Sequence, residues 1–448
     1  MLSVTARIRL LSPLFMNGDK PDSDDRNALP APSELRPDSL RGVMRYWHRA
    51  LTASMTDDLG GIRKLETKVF GGAGDSGEVS GVSLRFSQPP PRSDPRKPVK
   101  VRPERYEDVG LKYLAYGRMP QGGSEFYPCI LPAENDLEIV LSVPGLADAE
   151  RLLVAADALW LTSVFGGLGG RNRRGFGAFA VTGWECGGPW KLAPALPPTL
   201  WDKDRAALAG CIAEGFGKAL GREMLEMGST PKGGSRSISH FRGKGGTFLW
   251  GPSASADGDP ASASWDAEND GWRGALNAMG GALASWRSGK GKTACLCWET
   301  ESNCIKDWLK GNRNGVPSAD RAGFGLPWAI YSTSVRDHYG RDDPRSNKRA
   351  TARFSPGGDD KEGRRASPLV MSLIGFDRGT RMVGILTWLS GDFLPMDDRT
   401  GQPQAISAKR FIDGKPAQPK VPPDAGKVIS PFLGSLQRQS LLEEVPLP

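Results

Sequence analysis

Gly166-Gly167-Leu168-Gly169-Gly170-Arg171-Asn172-Arg173-Arg174-Gly175-Phe176-Gly177 sets six glycines and three arginines between a helical run and a strand. Glycine tolerates positive φ and lets the main chain approach a ligand with no Cβ in the way, so backbone N–H groups can face phosphate oxygens. The arginines add charge and planar donor forks. The stretch reads as a cradle for RNA, and the plainer alternative is a solvated basic turn.

The order of elements excludes two other glycine-rich loops. Walker A chemistry needs Gly-Lys-Ser/Thr at the loop's end, and a dinucleotide fold needs its glycines after a strand. These glycines follow the helical run 146–164 and precede a strand at 179–184. Gly291-Lys292-Thr293 ends like a Walker A motif, but Trp286 stands where its first glycine belongs.

The chain has 448 residues, room for two domains. Lys plus Arg number 59 against 51 Asp plus Glu, a surplus of +8 that favours polyanionic partners. No apolar run approaches the ~20 residues that cross a bilayer, and residues 1–8 read as a strand rather than a signal peptide, so a cytoplasmic location is expected. Six cysteines are too few and scattered for a disulfide framework. Cys295, Cys297 and Cys304 cluster, but their spacing matches no common zinc pattern, and neither metal nor cofactor is expected.

Residues 3–11 alternate with the period of a half-buried strand, and 38–53 switch to helical period. In that helix Leu40, Val43, Met44, Trp47 and Leu51 share one face, Arg41, Arg45 and Arg49 recur on another, and Asp38 is placed to cap the N-terminus. Tyr46 and His48 are expected to point outward. Strands at 82–86 and 137–143, the helix 146–164 and the strand 179–184 complete a β-α-β-β-α-β order, a split βαβ unit. Proline-rich, charged breaks at 17–37 and 88–105 read as surface excursions. A linker at 187–198 divides the chain into domains 1–190 and 199–448. The second holds helices at 202–220 and 272–286, strands at 326–331, 369–376 and 382–389, a low-complexity loop at 252–270 and a long charged loop at 336–365.

Four pieces in order carry a family resemblance: Pro13-Leu14-Phe15 with Gly18; Glu34-Leu35-Arg36-Pro37-Asp38-Ser39-Leu40-Arg41-Gly42 running into the helix; Glu66 with Val69-Phe70-Gly71; and the loop 166–177. Together they resemble the RAMP superfamily, and within it the first-named RAMP subunit of type III-B (Cmr) CRISPR effectors. Phe324-Gly325-Leu326-Pro327 and Arg364-Arg365-Ala366-Ser367-Pro368-Leu369 resemble that family's second repeat. The resemblance implies an α+β fold of tandem ferredoxin-like, RRM-related domains with long loop insertions. It also implies a structural, non-catalytic subunit near the 3′ end of the guide CRISPR RNA, beside other RAMP subunits, helping to engage target RNA for antiviral defence.

The expected RNA-binding set is Arg41, Arg45 and Arg49 on the helix, Gly169, Gly170, Arg171, Asn172, Arg173, Arg174, Gly175 and Phe176 in the loop, and Arg364 and Arg365 before the strand at 369. Helix and loop would line one basic groove within the first domain. Phe176 and Trp47 are candidate stacking platforms, with core packing the alternative. The helix arginines could instead pair with nearby carboxylates. A rival reading is a metal-independent, guide-processing endoribonuclease, whose acid and base would come from His48, His240 and His338, the only histidines.

Overall fold

The computed structural model describes residues 1–16, 32–72, 81–94, 99–100, 109–118, 125–132, 136–187, 192–227, 234–235, 238–243, 245–251, 265–266, 271–288, 297–312, 320–325, 328–340, 350–356, 366–392, 406–410 and 424–448. Its first unit runs β1 (Leu2–Leu10), α1 (Pro37–Thr52), α2 (Leu59–Phe70), β2 (Ser83–Phe86), β3 (Leu137–Val143), α3 (Ala149–Phe165) and β4 (Phe179–Gly187). The sheet order is β2-β3-β1-β4, antiparallel throughout, which is ferredoxin-like. On β1 the side chains of Leu2, Val4, Ala6, Ile8 and Leu10 are buried in alternation, the period of a strand with one covered face. A bulge between Arg7 and Ile8 shifts its pairing with β4.

The second unit repeats that order. After α4 (Leu208–Met227) come β5 (Gly246–Trp250), α5 (Gly271–Ser288), β6 (Leu369–Phe376), β7 (Arg381–Trp388), α6 (Ala425–Gln437) and β8 (Leu442–Val445). The strands lie β6-β7-β5-β8, so again the first strand sits between the third and the fourth. A separate antiparallel sheet of Trp328–Tyr331, Thr351–Pro356 and Ile406–Arg410 is inserted beside it.

α3 joins the two units. Every side chain from Leu152 to Phe165 is buried, because the helix packs on β1, β3 and β4 on one side and on β6 and β7 on the other. A helix apolar all round is stable only when enclosed in this way. Pocketing Trp160 between layers leaves its indole N–H to find a polar partner, and it donates to the Pro198 carbonyl at 2.8 Å.

Several expectations need correction. Asp38 does not cap α1: the cap position is Arg36, without a side-chain bond, and Pro37 opens the helix where an N–H would be orphaned anyway. The helix expected at 202–220 begins at Leu208 and continues to Met227. The charged stretch 336–365 is not one loop, since it includes the end of a helix (Thr333–His338) and the strand Thr351–Pro356; Ala352 and Phe354 are buried there, and two apolar positions suffice to dock a short strand. Most of 252–270 lies outside the described residues, although Trp265–Asp266 pairs with β7. Among the elements that build the two units, α2, β5, α6 and β8 were not expected from the sequence.

Candidate nucleic-acid interface

The glycine loop begins where α3 ends and is folded tightly against Pro13–Phe15. Leu168 N–H donates to the Gly177 carbonyl (2.9 Å), Gly170 N–H to Phe15 (2.6 Å) and Gly177 N–H to Pro13 (2.9 Å). Gly169 and Gly177 have φ of 70° and 67°, and a Cβ would fall 2.3 Å from the Phe15 carbonyl oxygen at the first and 2.0 Å from that of Leu168 at the second. Those glycines serve close backbone approach within the protein. Phe176 is fully buried between Phe15 and Phe126, ring centroids 5.2 and 5.9 Å away, so its ring plugs the core and is no platform for a base. Trp47 is buried as well.

The loop arginines point into the seam between the two units, not along one domain. Arg173 Nη1 donates to the Ser367 carbonyl at 2.7 Å, its guanidinium lies 4.7 Å over the Tyr46 ring, and its carbonyl accepts from Met371 N–H at 3.1 Å. Arg174 Nη2 reaches the Phe324 carbonyl at 3.3 Å, while Nη1 is buried with no hydrogen-bond partner among the described residues. Arg171, held at φ 64°, donates to the Tyr116 carbonyl. Asn172 closes the turn on the Gly167 carbonyl at 3.2 Å.

Two further arginines join them. Arg118 lies against Gly170, where its Nη2 would be 2.1 Å from a Cβ, and Arg287, at the end of α5, donates to Tyr113 Oη at 2.7 Å and stacks 5.7 Å over Phe324. The segment carrying Tyr113, Tyr116 and Arg118 is an excursion of the first unit pinned to the second: Asn277 Oδ1 accepts from Gly110 N–H (3.0 Å) and Leu111 N–H (3.1 Å). Among the described residues none of Arg118, Arg171, Arg173, Arg174 and Arg287 has a carboxylate within ion-pair distance. Burial, reinforced by the charges of Arg287, Arg171 and Arg173, lowers the Arg174 pKa to about 10. Burial and then Arg118 act in the same direction on Arg171. Cations crowded in this way without a counter-ion favour an anionic ligand.

Helix α1 is different. Arg45 Nε and Arg49 Nη1 both meet Glu66 Oε1, at 2.5 and 2.8 Å, and Arg45 also donates to the Gly71 carbonyl at 2.6 Å. Arg41 pairs loosely with exposed Asp38 at 3.8 Å. The expected single groove is thus two settings: Arg45 and Arg49 of α1 bind α2, and the loop arginines line the seam. Neither Tyr46 nor His48 points outward as expected. Tyr46 lies under Arg173, and buried His48 pairs with Glu223 of α4 at 2.9 Å. Burial opposes the imidazolium, but the Glu223 carboxylate outweighs it and the His48 pKa is raised. His240 Nδ1 accepts from Arg242 N–H at 3.1 Å, a local turn contact. Arg364 and Arg365 lie outside the described residues.

Arg118 and Arg287 escaped sequence reading because only the fold brings them to the loop. The available signal was aromatic residues near each: Tyr113 and Tyr116 before Arg118, and Trp286 before Arg287.

Comparison with known proteins agrees with the fold. The RAMP superfamily model matches residues 7–180. A curated relative, CRISPR system Cmr subunit Cmr1-1 of Pyrococcus furiosus, is 29% identical over 152 residues, and the matched stretch spans 33% of this chain and 40% of the relative. The crystal structure of Cmr1 from Pyrococcus furiosus in its apo form aligns over 100% of this chain and 99% of that one, with a TM-score of 0.50 at 16% identity, a likeness of fold. A chain in the cryo-EM structure of the type III-B Cmr-beta bound to cognate target RNA covers 98% of this chain and 99% of its own, with a TM-score of 0.49 at 11% identity. Residues 7–180 match the RAMP superfamily model, within a chain that resembles Cmr1 in fold and carries two ferredoxin-like units.

Proposed function

We propose that this chain is a non-catalytic, RNA-binding subunit of a type III-B CRISPR ribonucleoprotein effector. It sits near the 3′ end of the guide RNA beside other RAMP subunits and helps to engage target RNA. Its domains divide at residues 190–199, and it acts in the cytoplasm. The observation that carries this role is the seam where Arg118, Arg171, Arg173, Arg174 and Arg287 converge with no carboxylate partner among the described residues. The Cmr1-1 similarity supplies the effector class. Guanidinium groups arranged in this way grip phosphates, whose contacts hold a strand in place without reading its sequence.

The test is the affinity of the purified chain for single-stranded RNA as a function of salt. Wild type should lose affinity linearly in log–log form, with a slope of about 0.7 per phosphate contact. R118A/R171A should weaken binding similarly for unrelated sequences and flatten the slope by about 1. Unchanged affinity and slope would remove the seam from RNA binding. These two positions are preferred because Arg173 and Arg174 also bind carbonyls of the second unit.

The rival role, a guide-processing endoribonuclease, needs an acid and a base together, and of the three histidines only His338 is exposed, with His48 and His240 both buried. The burial of His48 and its pairing with Glu223 support the non-catalytic role. Repeat RNA incubated with the protein should stay intact, and 2′,3′-cyclic phosphate products abolished by H48A would reverse the conclusion.

A further inference from the structure

We infer that Tyr116 is a stacking platform for an unpaired base of single-stranded RNA, next to the seam arginines that hold the flanking phosphates; this rests on the RNA-binding role proposed above. Tyr116 is 78% exposed, the most exposed aromatic side chain among the described residues. Burial statistics leave single exposed apolar residues unremarkable. What sets Tyr116 apart is that its backbone is fixed while its ring is free.

Its carbonyl accepts from Arg171 and its N–H donates to the Tyr113 carbonyl at 3.4 Å. The short helix before it, Val109–Leu114, is docked on α5 with Leu111 and Leu114 buried and its first amides held by Asn277. Gly110 has no room for a side chain, since a Cβ would lie 1.9 Å from the Asn277 carbonyl oxygen. Immobilising the backbone in advance reduces the ordering cost of binding.

The surroundings fit a nucleic-acid strand better than an apolar protein partner. Arg171 is bonded to the residue itself, Arg118 follows two positions later, and Tyr127, 38% exposed, donates its N–H to the Arg118 carbonyl at 2.9 Å. A planar ring flanked by guanidinium groups with no carboxylate counter-ion matches alternating base and phosphate, the recurrent pattern of single-strand recognition. Duplex RNA keeps its bases stacked inside and has none to offer such a ring. The aromatic first suspected, Phe176, is buried beneath this surface, so stacking passes from the loop to the neighbouring excursion.

The experiment uses the full chain with wild type, Y116A, Y116W and R118A/R171A, a single-stranded RNA carrying 2-aminopurine, and the matching duplex. Y116A should weaken single-strand binding roughly 5- to 150-fold, corresponding to about 1–3 kcal/mol of stacking. Its salt slope should equal that of wild type, because no phosphate contact is lost. Y116W should restore affinity and quench the 2-aminopurine as wild type does, and duplex affinity should be the same for wild type and Y116A. If Y116A binds single strands as wild type does while R118A/R171A does not, the stacking assignment falls and the RNA-binding role stands. A lack of RNA binding by wild type removes both. Should Y116A leave RNA affinity intact but block incorporation into a reconstituted effector, the residue faces a protein subunit and the inference is wrong.

Discussion

The two arginine groups of this chain carry the same charge, and the fold treats them oppositely. On α1, Arg45 and Arg49 converge on one carboxylate, Glu66, which is buried at the contact with α2. In the glycine loop, Arg171, Arg173 and Arg174 meet carbonyl oxygens, which accept a bond without cancelling the charge. The first arrangement holds two helices together. The second leaves a positive field at the seam, available to a ligand, so a charge pattern becomes informative only once its counter-ions are located.

The largest expected effect comes from removing the geometry that aims the loop. G177A places a Cβ 2.0 Å from the Leu168 carbonyl oxygen at a φ of 67°. Backbone that close has no flexible side chain to yield, so the cost should exceed about 3 kcal/mol. A urea midpoint close to that of wild type would show that the loop relaxes freely and that its arginines are not held in place.

Removing Glu66 sharpens the other side of the contrast. E66A leaves Arg45 and Arg49 partly buried without a counter-charge, which should cost about 1–3 kcal/mol given that both guanidinium groups retain some solvent. RNA affinity should not fall. A marked loss of RNA binding in folded E66A would place the α1 face in the interface after all.

Paired binding measurements test the contrast directly. R118A/R171A should lower affinity for single-stranded RNA about tenfold or more at moderate salt, whereas R45A/R49A should change it less than about threefold. Equal losses would mean that both groups face RNA and that the ion pairs with Glu66 open on binding.

Much of the first unit was legible because its signals are local. The alternation of β1, the apolar stripe of α1 and the order of helix, glycine loop and strand are each written within a few residues. The missing elements fail for the opposite reason. β5 has five residues, α6 carries Pro431 inside it, and β8 includes Glu443 and Glu444, so each is weak until partners pair with it. The site divides in the same way. The loop's composition announced a special backbone, but its glycines fit Pro13–Phe15, and Arg118 and Arg287 join only through the docking of residues 109–118 on α5. Outward placement of His48 failed because its partner, Glu223, lies on another helix far along the chain.

That buried pair yields the smallest effect and a direction that can be checked. The Glu223 carboxylate 2.9 Å from Nε2 holds the folded-state pKa of His48 above the usual 6.5, against the opposing effect of burial. A raised folded-state pKa means that the folded chain binds the proton more tightly than the unfolded one. The resulting stability is complete below about pH 6.5 and is lost as pH rises through the folded-state value. Glutamine at position 48 keeps a neutral donor near Glu223 but cannot titrate, so the stability difference between wild type and H48Q should narrow as pH rises from 6 to 9. Urea midpoints at the two pH values measure it. A constant gap would mean that His48 stays neutral and holds Glu223 by an uncharged hydrogen bond. The inner face of α1 would then hold its partner without charge, and the contrast with the seam would rest on Glu66 alone.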